Sequence, residues 1–254
     1  MSILSHSGRP IAQMSNWPHE DDKWKVGRSA MELARHWTGP DMVPLDVRQL
    51  LEAEFGSIHV LEGQPEKATS LPPLHSRGPR MHDLWLKGRL DEDRQVTICV
   101  EAKADESFGE TVAEYQRAAV AALKKSPNSK MKARLGLLQT MIWGQSLPGV
   151  ISSLRYQLLS ALTGTAIQTL TDQSAMGILL IHVFDTSATT AANRHRNTVE
   201  LATFLSTLTI TPSQTTTRKG HVLGRVKVTV PADFSPGGTA ETVEVHVAKL
   251  TTVI

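Results

Sequence analysis

The residues best placed to do chemistry lie in ICVEAKADESFGE, Ile98 to Glu110, where an apolar run meets the triplet Glu101-Ala102-Lys103. Strand side chains alternate between faces, so Glu101 and Lys103 share one with Thr97 and Cys99, while Ile98, Val100 and Ala102 take the other. A carboxylate and an ammonium at the end of a buried strand can pair with each other as an ordinary salt bridge. Alternatively, the carboxylate joins a second acid in holding a hard divalent cation, and the lysine orients a water against a phosphate.

The second acid comes from the preceding segment. DLWLKGRL (Asp83–Leu90) and QVTICVEAK (Gln95–Lys103) flank the turn DEDR (Asp91–Arg94) and read as a hairpin. If Leu90 pairs with Gln95, Asp83 stands across from Ala102, beside Glu101 and Lys103. Two such carboxylates repel unless a cation compensates, and magnesium typically takes one or two of them together with phosphate oxygens.

The elements around this hairpin follow from periodicity and punctuation. Gly27–Trp37 reads as a helix, with Ser29 and Glu32 spaced as a capping box, and Asp46–Phe55 as a second, ended by Gly56. The stretch before Lys25 is polar and is expected to wrap the surface. A short strand is expected at Ser57–Leu61, then a long surface loop from Gly63 to Pro79, where Pro, Gly and Ser accumulate. Helices are expected at Glu110–Lys124, Lys130–Trp143 and Val150–Leu170. GILLIHVF (Gly177–Phe184) is apolar throughout and suits a central strand covered on both faces. A helix at Ala191–Leu208, a polar loop at Thr209–Gly220 and two alternating strands, His221–Val230 and Glu241–Leu250, complete the chain. The order predicts a mixed α/β (α+β) domain with helices on a sheet and an appended C-terminal β-hairpin.

On these residues the chain resembles the PD-(D/E)XK nuclease superfamily, with Asp83 as the motif acid and Glu101-Ala102-Lys103 as the (D/E)XK element. The resemblance implies a restriction-endonuclease-like core over roughly residues 27–185: a helix, a three-strand meander, a helix and a fourth strand. It implies Mg²⁺ (or Mn²⁺) held by Asp83, Glu101 and the Ala102 carbonyl, with Lys103 positioning water and Glu32 assisting from the first helix. Gln116, Arg155 and Gln157 are its supporting candidates, and its expected activity is phosphodiester hydrolysis in DNA. SSLRYQLLSAL (Ser152–Leu162) is similar to an uncharacterised bacterial branch. His82 precedes Asp83 where many members have Pro, and two or three helical segments stand where one is usual. The rival expectation is a nuclease-like fold without catalysis that binds nucleic acid or protein.

A net charge of +2 advertises no strong field toward nucleic acid, so any phosphate-binding surface must be local. KKSPNSKMKAR supplies one candidate in Lys124, Lys125, Lys130, Lys132 and Arg134, although a solvated connection between helices explains it as well. Arg194, His195 and Arg196 make a smaller cluster. The five tryptophans read as core rather than as base-stacking surfaces, and His75 and His82 as structural. Cys99 is the single cysteine, which excludes a disulfide framework and a cysteine zinc site, and no histidine pair has metalloprotease spacing. No nucleophile elbow, Walker loop or dinucleotide fingerprint is present. MSILSHSGRP lacks the pattern of a signal peptide and MGILLIHVF is too short to span a bilayer, so a cytoplasmic protein is expected. An exposed edge on the C-terminal hairpin would offer a template for self-association.

Overall fold

Both neighbouring layers compete for the strand at Met176–Asp185, and its sequence serves both. Ile178 and Leu180 enter one hydrophobic core, while Leu179 and Ile181 enter a second on the opposite face. This is why GILLIHVF is apolar without alternation. The computed structural model describes residues 2–19, 24–39, 43–73, 78–90, 94–147, 149 and 151–254. His75 and most of the DEDR turn (91–93) lie outside the described residues.

In chain order the elements are β1 (Ser2–Ile3), α1 (Ser29–Trp37), α2 (Leu45–Phe55), β2 (Ile58–Thr69), β3 (Arg80–Leu90), β4 (Arg94–Lys103) and α3 (Val112–Lys125). There follow α4 (Met131–Trp143), α5 (Tyr156–Thr171), β5 (Met176–Asp185), α6 (Ala191–Ser206), β6 (Ile210–Thr211), β7 (Gly220–Val230) and β8 (Glu241–Val253). The strands form one mixed sheet in the order β1-β2-β3-β4-β5-β8-β7-β6. β2, β3 and β4 are an antiparallel meander, and β5 returns parallel to β4 after the helices α3 to α5. α1 and α2 pack on one face with Leu33, Trp37 and Leu50; α4, α5 and α6 cover the other with Leu138, Leu162 and Phe204. The expected mixed α/β architecture is therefore present.

α5 is buried along nearly its whole length, from Leu158 to Thr169. Its polar residues tolerate this because Thr163, Thr165 and Thr169 each donate their hydroxyl to the carbonyl four residues back, at 2.8 Å.

Several expectations are corrected. The expected short strand instead extends into the first part of the expected loop, as the twelve-residue β2 through Gly63 and Pro65; of the remaining loop, residues 74–77 lie outside the described residues. β1 pairs only with Glu62 and Gly63, so β2 is an edge strand at Pro65, where a missing N–H is tolerated. The N-terminal stretch contributes to the core through Ile3, Ile11 and Trp17 rather than only covering the surface. α5 starts at Tyr156, because Leu154 and Glu110 exchange main-chain bonds with Val112 and Tyr156 and hold residues 152–155 as a bridge; the expected start at Val150 lies outside the described residues. The expected C-terminal hairpin is present as β7 and β8, but it is integrated in the main sheet: β8 pairs in parallel with β5 from Gly177–Val245 to Asp185–Val253. On its outer side β7 is partly covered by β6, which pairs with Arg225 and Val226.

Candidate active site

β3 and β4 pair from Leu90–Arg94 to Leu84–Val100, one residue off the expected register. The shift puts Asp83 opposite Glu101 by count, rather than opposite Ala102. Past Leu84 the ladder stops, and the Asp83 side chain takes over: its Oδ2 accepts the Ala102 N–H at 2.7 Å. The acid is thus bonded to the middle residue of the Glu-Ala-Lys triplet.

Asp83 also marks a switch of faces. Trp85 Nε1 donates to Asp172 at the end of α5, and the Cys99 thiol bonds Thr165 of the same helix. Beyond Asp83 it is Arg80 and His82 that lie against α5, at Gly164. On β2 the matching residue, Glu66, sits between the pairs Pro65–Leu84 and Lys67–His82 with φ +51°. The break in alternation turns Arg80 to the side of β4 that carries Glu101.

Glu101 is fully buried and bracketed by two cations. The Arg80 guanidinium bonds Oε2, and Lys103 Nζ lies 2.7 Å from Oε1. The lysine approaches without hydrogen-bond alignment, so Oε1 is buried without a directed donor. Burial lowers the pKa of both Arg80 and Lys103, and the negative charge of Asp83 works against that shift in each case. Arg80 lowers Lys103 further, and Glu106 raises it. Removing one partner from such a buried group strands the others, at a typical cost of about 3–5 kcal/mol.

Arg80, Asp83 and Lys103 of this group line a cleft of about 820 Å³, together with Trp17, Arg28, Glu66, Glu106 and Gln157 among others, while Glu101 is buried behind them and is not on its wall. Arg80 and Lys103 face it directly. Lys25 and Arg28 are exposed cations at its edge. A tighter cavity of about 150 Å³ lies beyond Ala104 and Phe108, but its charged lining is Lys249 and the Asp185–Arg194 pair. The carboxylate and lysine chemistry belongs to the larger cleft.

The other candidates separate. Gln157 lines the cleft, whereas Gln116 is a half-buried residue of α3 that does not. Arg155 is committed to Glu200 of α6 and to the Gly109 carbonyl. Glu32 is buried and absent from the cleft wall; its Oε1 accepts the Gly27 N–H at 2.7 Å and its Oε2 pairs with Arg35 at 3.0 Å. The expected capping box fails because Ser29 is the first helical residue, after Arg28 as N-cap. Ser29 gives its N–H and hydroxyl to Glu106 at 2.9 and 3.2 Å, so Glu106 is the acid that joins α1 to the site. Its other oxygen accepts the Ala104 N–H, which fixes the chain just past Lys103.

In the basic stretch, Lys124, Lys125, Lys130 and Lys132 are exposed, but Arg134 is buried and donates to the Gly78 carbonyl at 2.7 Å. Arg134 is removed from the surface set. His82 is buried with its Nε2 3.1 Å from the Thr69 hydroxyl, a structural role. Sequence reasoning missed Arg80 and Glu106. Arg80 follows Gly78 and Pro79, which read as loop, and Glu106 follows the strand in an Asp-Glu-Ser run that reads as a solvated turn.

The donors at this site suit a hard cation in type: the carboxylates of Asp83 and Glu101 and the carbonyl of Ala102, with Oε1 of Glu101 short of a donor. Against this, Arg80 holds the other oxygen of Glu101. Among the described residues no three His, Cys, Asp or Glu side chains cluster as a metal site. The site therefore offers two carboxylates, enough for a magnesium ion that completes its shell with water and phosphate oxygens.

A family model described as a domain of unknown function, DUF6946, matches residues 9–232. No curated protein and no solved structure matches the chain. Among the described residues no helix is long and apolar enough to cross a membrane.

Proposed function

For a chain that belongs to the DUF6946 family, we propose from the chemistry of its cleft that it is a metal-dependent nuclease hydrolysing phosphodiester bonds in DNA. One observation carries the reading. Asp83 and the Glu101-Ala102-Lys103 triplet are joined across neighbouring strands through the Asp83–Ala102 bond, and Asp83 and Lys103 line a cleft. The meander β2-β3-β4, the parallel β5 and the preceding α1 follow the element order that the resemblance implies.

In this reading Asp83, Glu101 and the Ala102 carbonyl would hold Mg²⁺ or Mn²⁺, which when bound would supply Lewis-acid charge stabilisation at a phosphate. Lys103 hydrogen-bonds the attacking water; burial lowers its pKa, against the opposing charges of Asp83 and Glu106. Glu106 fixes the backbone at Ala104 and the start of α1 rather than touching the reacting atoms.

A second reading has its own observation. Glu101 is already neutralised by Arg80 and Lys103, which suits a nuclease-like fold that binds phosphate with its cations and performs no hydrolysis. The two are separated by incubating the chain with plasmid, linear and single-stranded DNA, with Mg²⁺, with Mn²⁺ and with chelator. Metal-dependent cleavage lost in Glu101→Gln supports the nuclease. DNA binding with no cleavage under any condition supports the silent fold.

A further inference from the structure

Arg80 is a buried charged group on the cleft wall that the proposed hydrolysis does not use. Its side chain is only 10% exposed. Its stem lies over Gly164 of α5, where a Cβ would come within 3.0 Å of Arg80 Cγ. The absence of a side chain at Gly164 is what lets the stem lie flat and bring the guanidinium to Glu101. The pairing is incomplete, since Arg80 Nε is buried without a partner. An arginine stays protonated at any ordinary pH, so a cation approaching Glu101 cannot remove this competitor by titration. It has to move, and the cleft wall beside it carries the carboxylates of Asp83 and Glu66, both of which favour its charge.

Resting on the nuclease reading, we propose that Arg80 is an internal counter-cation. It occupies the divalent-metal position at Glu101 in the metal-free protein and must swing into the cleft before a metal ion binds. The physical consequence is a suppressed metal affinity. If the Arg80-engaged state holds about 90–99% of the population, apparent affinity falls by about ten- to a hundredfold.

The test is titration calorimetry of Mn²⁺ alone into the full chain, into Arg80→Met and into Arg80→Met/Glu101→Gln. Binding that tightens about tenfold or more in Arg80→Met and is lost again in the double variant is the expected result. Equal or weaker binding in Arg80→Met, with measurable binding to the unaltered chain, overturns the proposal and leaves the nuclease reading standing. No Mn²⁺ binding by either protein also overturns it. The nuclease reading fails separately, by the absence of cleavage in the unaltered chain. Should Arg80→Met not fold, the Nε–H resonance of Arg80 in the unaltered chain decides. A Mg²⁺-dependent shift of that signal supports displacement, and an unmoved signal at metal saturation overturns it.

Discussion

The carboxylate of Asp83 on β3 accepts the main-chain N–H of Ala102 on β4, at the point where the ladder between the two strands ends. A charged side chain thus closes the hydrogen bonding of a buried backbone group and faces a cleft. The two duties respond differently to substitution. Both variants lose the charge that favours buried Arg80 and Lys103, but Asp83→Asn keeps an acceptor oxygen for the Ala102 N–H, so it is expected to lose less stability than Asp83→Ala. Asp83→Ala leaves the N–H unpaired at a cost of about 1–3 kcal/mol. Cleavage is expected to be lost in both. Urea denaturation of the pair, run beside a cleavage assay, checks the separation; equal stability loss in the two variants would contradict it.

Glu101 is the hub of the buried charges, and removing its charge strands Arg80 and Lys103 together. Glu101→Gln is expected to cost about 3–5 kcal/mol while leaving the fold intact at moderate temperature, and to abolish Mg²⁺-dependent cleavage. Adding Lys103→Met should recover part of that loss, because one of the stranded cations is gone. A double-mutant cycle by urea unfolding measures the coupling. Additive losses, with no coupling between the two positions, would show that the ion pair carries no weight in the fold.

Gly164 is predicted to tune the site without forming part of it. Alanine gains helix propensity of about 1 kcal/mol but crowds the Arg80 stem and the His82 ring, which lie 3.0 and 3.2 Å from the added Cβ. The two effects oppose, so stability is expected to change by about 1 kcal/mol or less. The Arg80–Glu101 pair should nonetheless loosen, and Mn²⁺ affinity should rise. Calorimetry on Gly164→Ala reads this, and an unchanged affinity would count against the packing argument.

Stability should rise with pH between about 5 and 6.5. Burial is the main cause that holds His182 down to about 3 from an ordinary value of 6.5, and it also keeps His82 well below that value. In the unfolded chain both titrate normally, so unfolding takes up protons across this window and acid favours the unfolded state. From pH 6.5 to 5 the loss from His182 alone is about 2 kcal/mol, with His82 adding in the same direction. Asp46 adds a later loss, because its carboxyl pKa is lowered despite burial, by hydrogen bonds from His36, Thr252 and Lys219 and by the charge of His36. Its contribution is present above its ordinary value near 3.8 and fades below it. Denaturant midpoints at pH 5.0 and 6.5, repeated on His182→Gln, measure the proton count directly; the variant should take up about one proton fewer.

Arg134 and the lysines around it should behave oppositely. Arg134→Met removes the bond to the Gly78 carbonyl and a buried charge, and is expected to destabilise the fold by a few kcal/mol. Glutamine at Lys124, Lys125, Lys130 and Lys132 should leave stability within about 0.5 kcal/mol. If these lysines track phosphates, the quadruple variant binds DNA with a shallower salt dependence. An unchanged salt slope assigns them to a solvated surface.

How much of this could be read beforehand depends on how local each signal was. Glu101 and Lys103 were legible because period-two alternation after an apolar run fixes a shared face, and β5 because a strand covered on both sides must be apolar throughout. Asp83 was placed at the right end of the hairpin, but the register was one residue off, since the turn alone does not set it. Arg80 was hidden because it reaches Glu101 only through the switch of faces at Asp83, which period-two counting cannot anticipate. By spacing, Ser29 and Glu32 fit a capping box, yet Ser29 is committed to Glu106, a contact 77 residues away in sequence. Long-range bonds of this kind leave no spacing to count.

The position of β8 has a consequence for the order of events in folding. β7 is made before β8, yet β8 lies between β7 and β5 in the sheet. Until Glu241–Val253 has been synthesised, β5 therefore presents an open edge, and the β7 side chains Val226, Val228 and Val230 have no sheet to carry them into the core. A ribosome-bound chain halted after β7 would hold in water an apolar strand paired only with the two residues of β6, the kind of species that chaperones bind. Pulse-labelled amide exchange should accordingly find β7 protected no earlier than β8, with the β2–β4 meander, joined by short-range contacts, protected first.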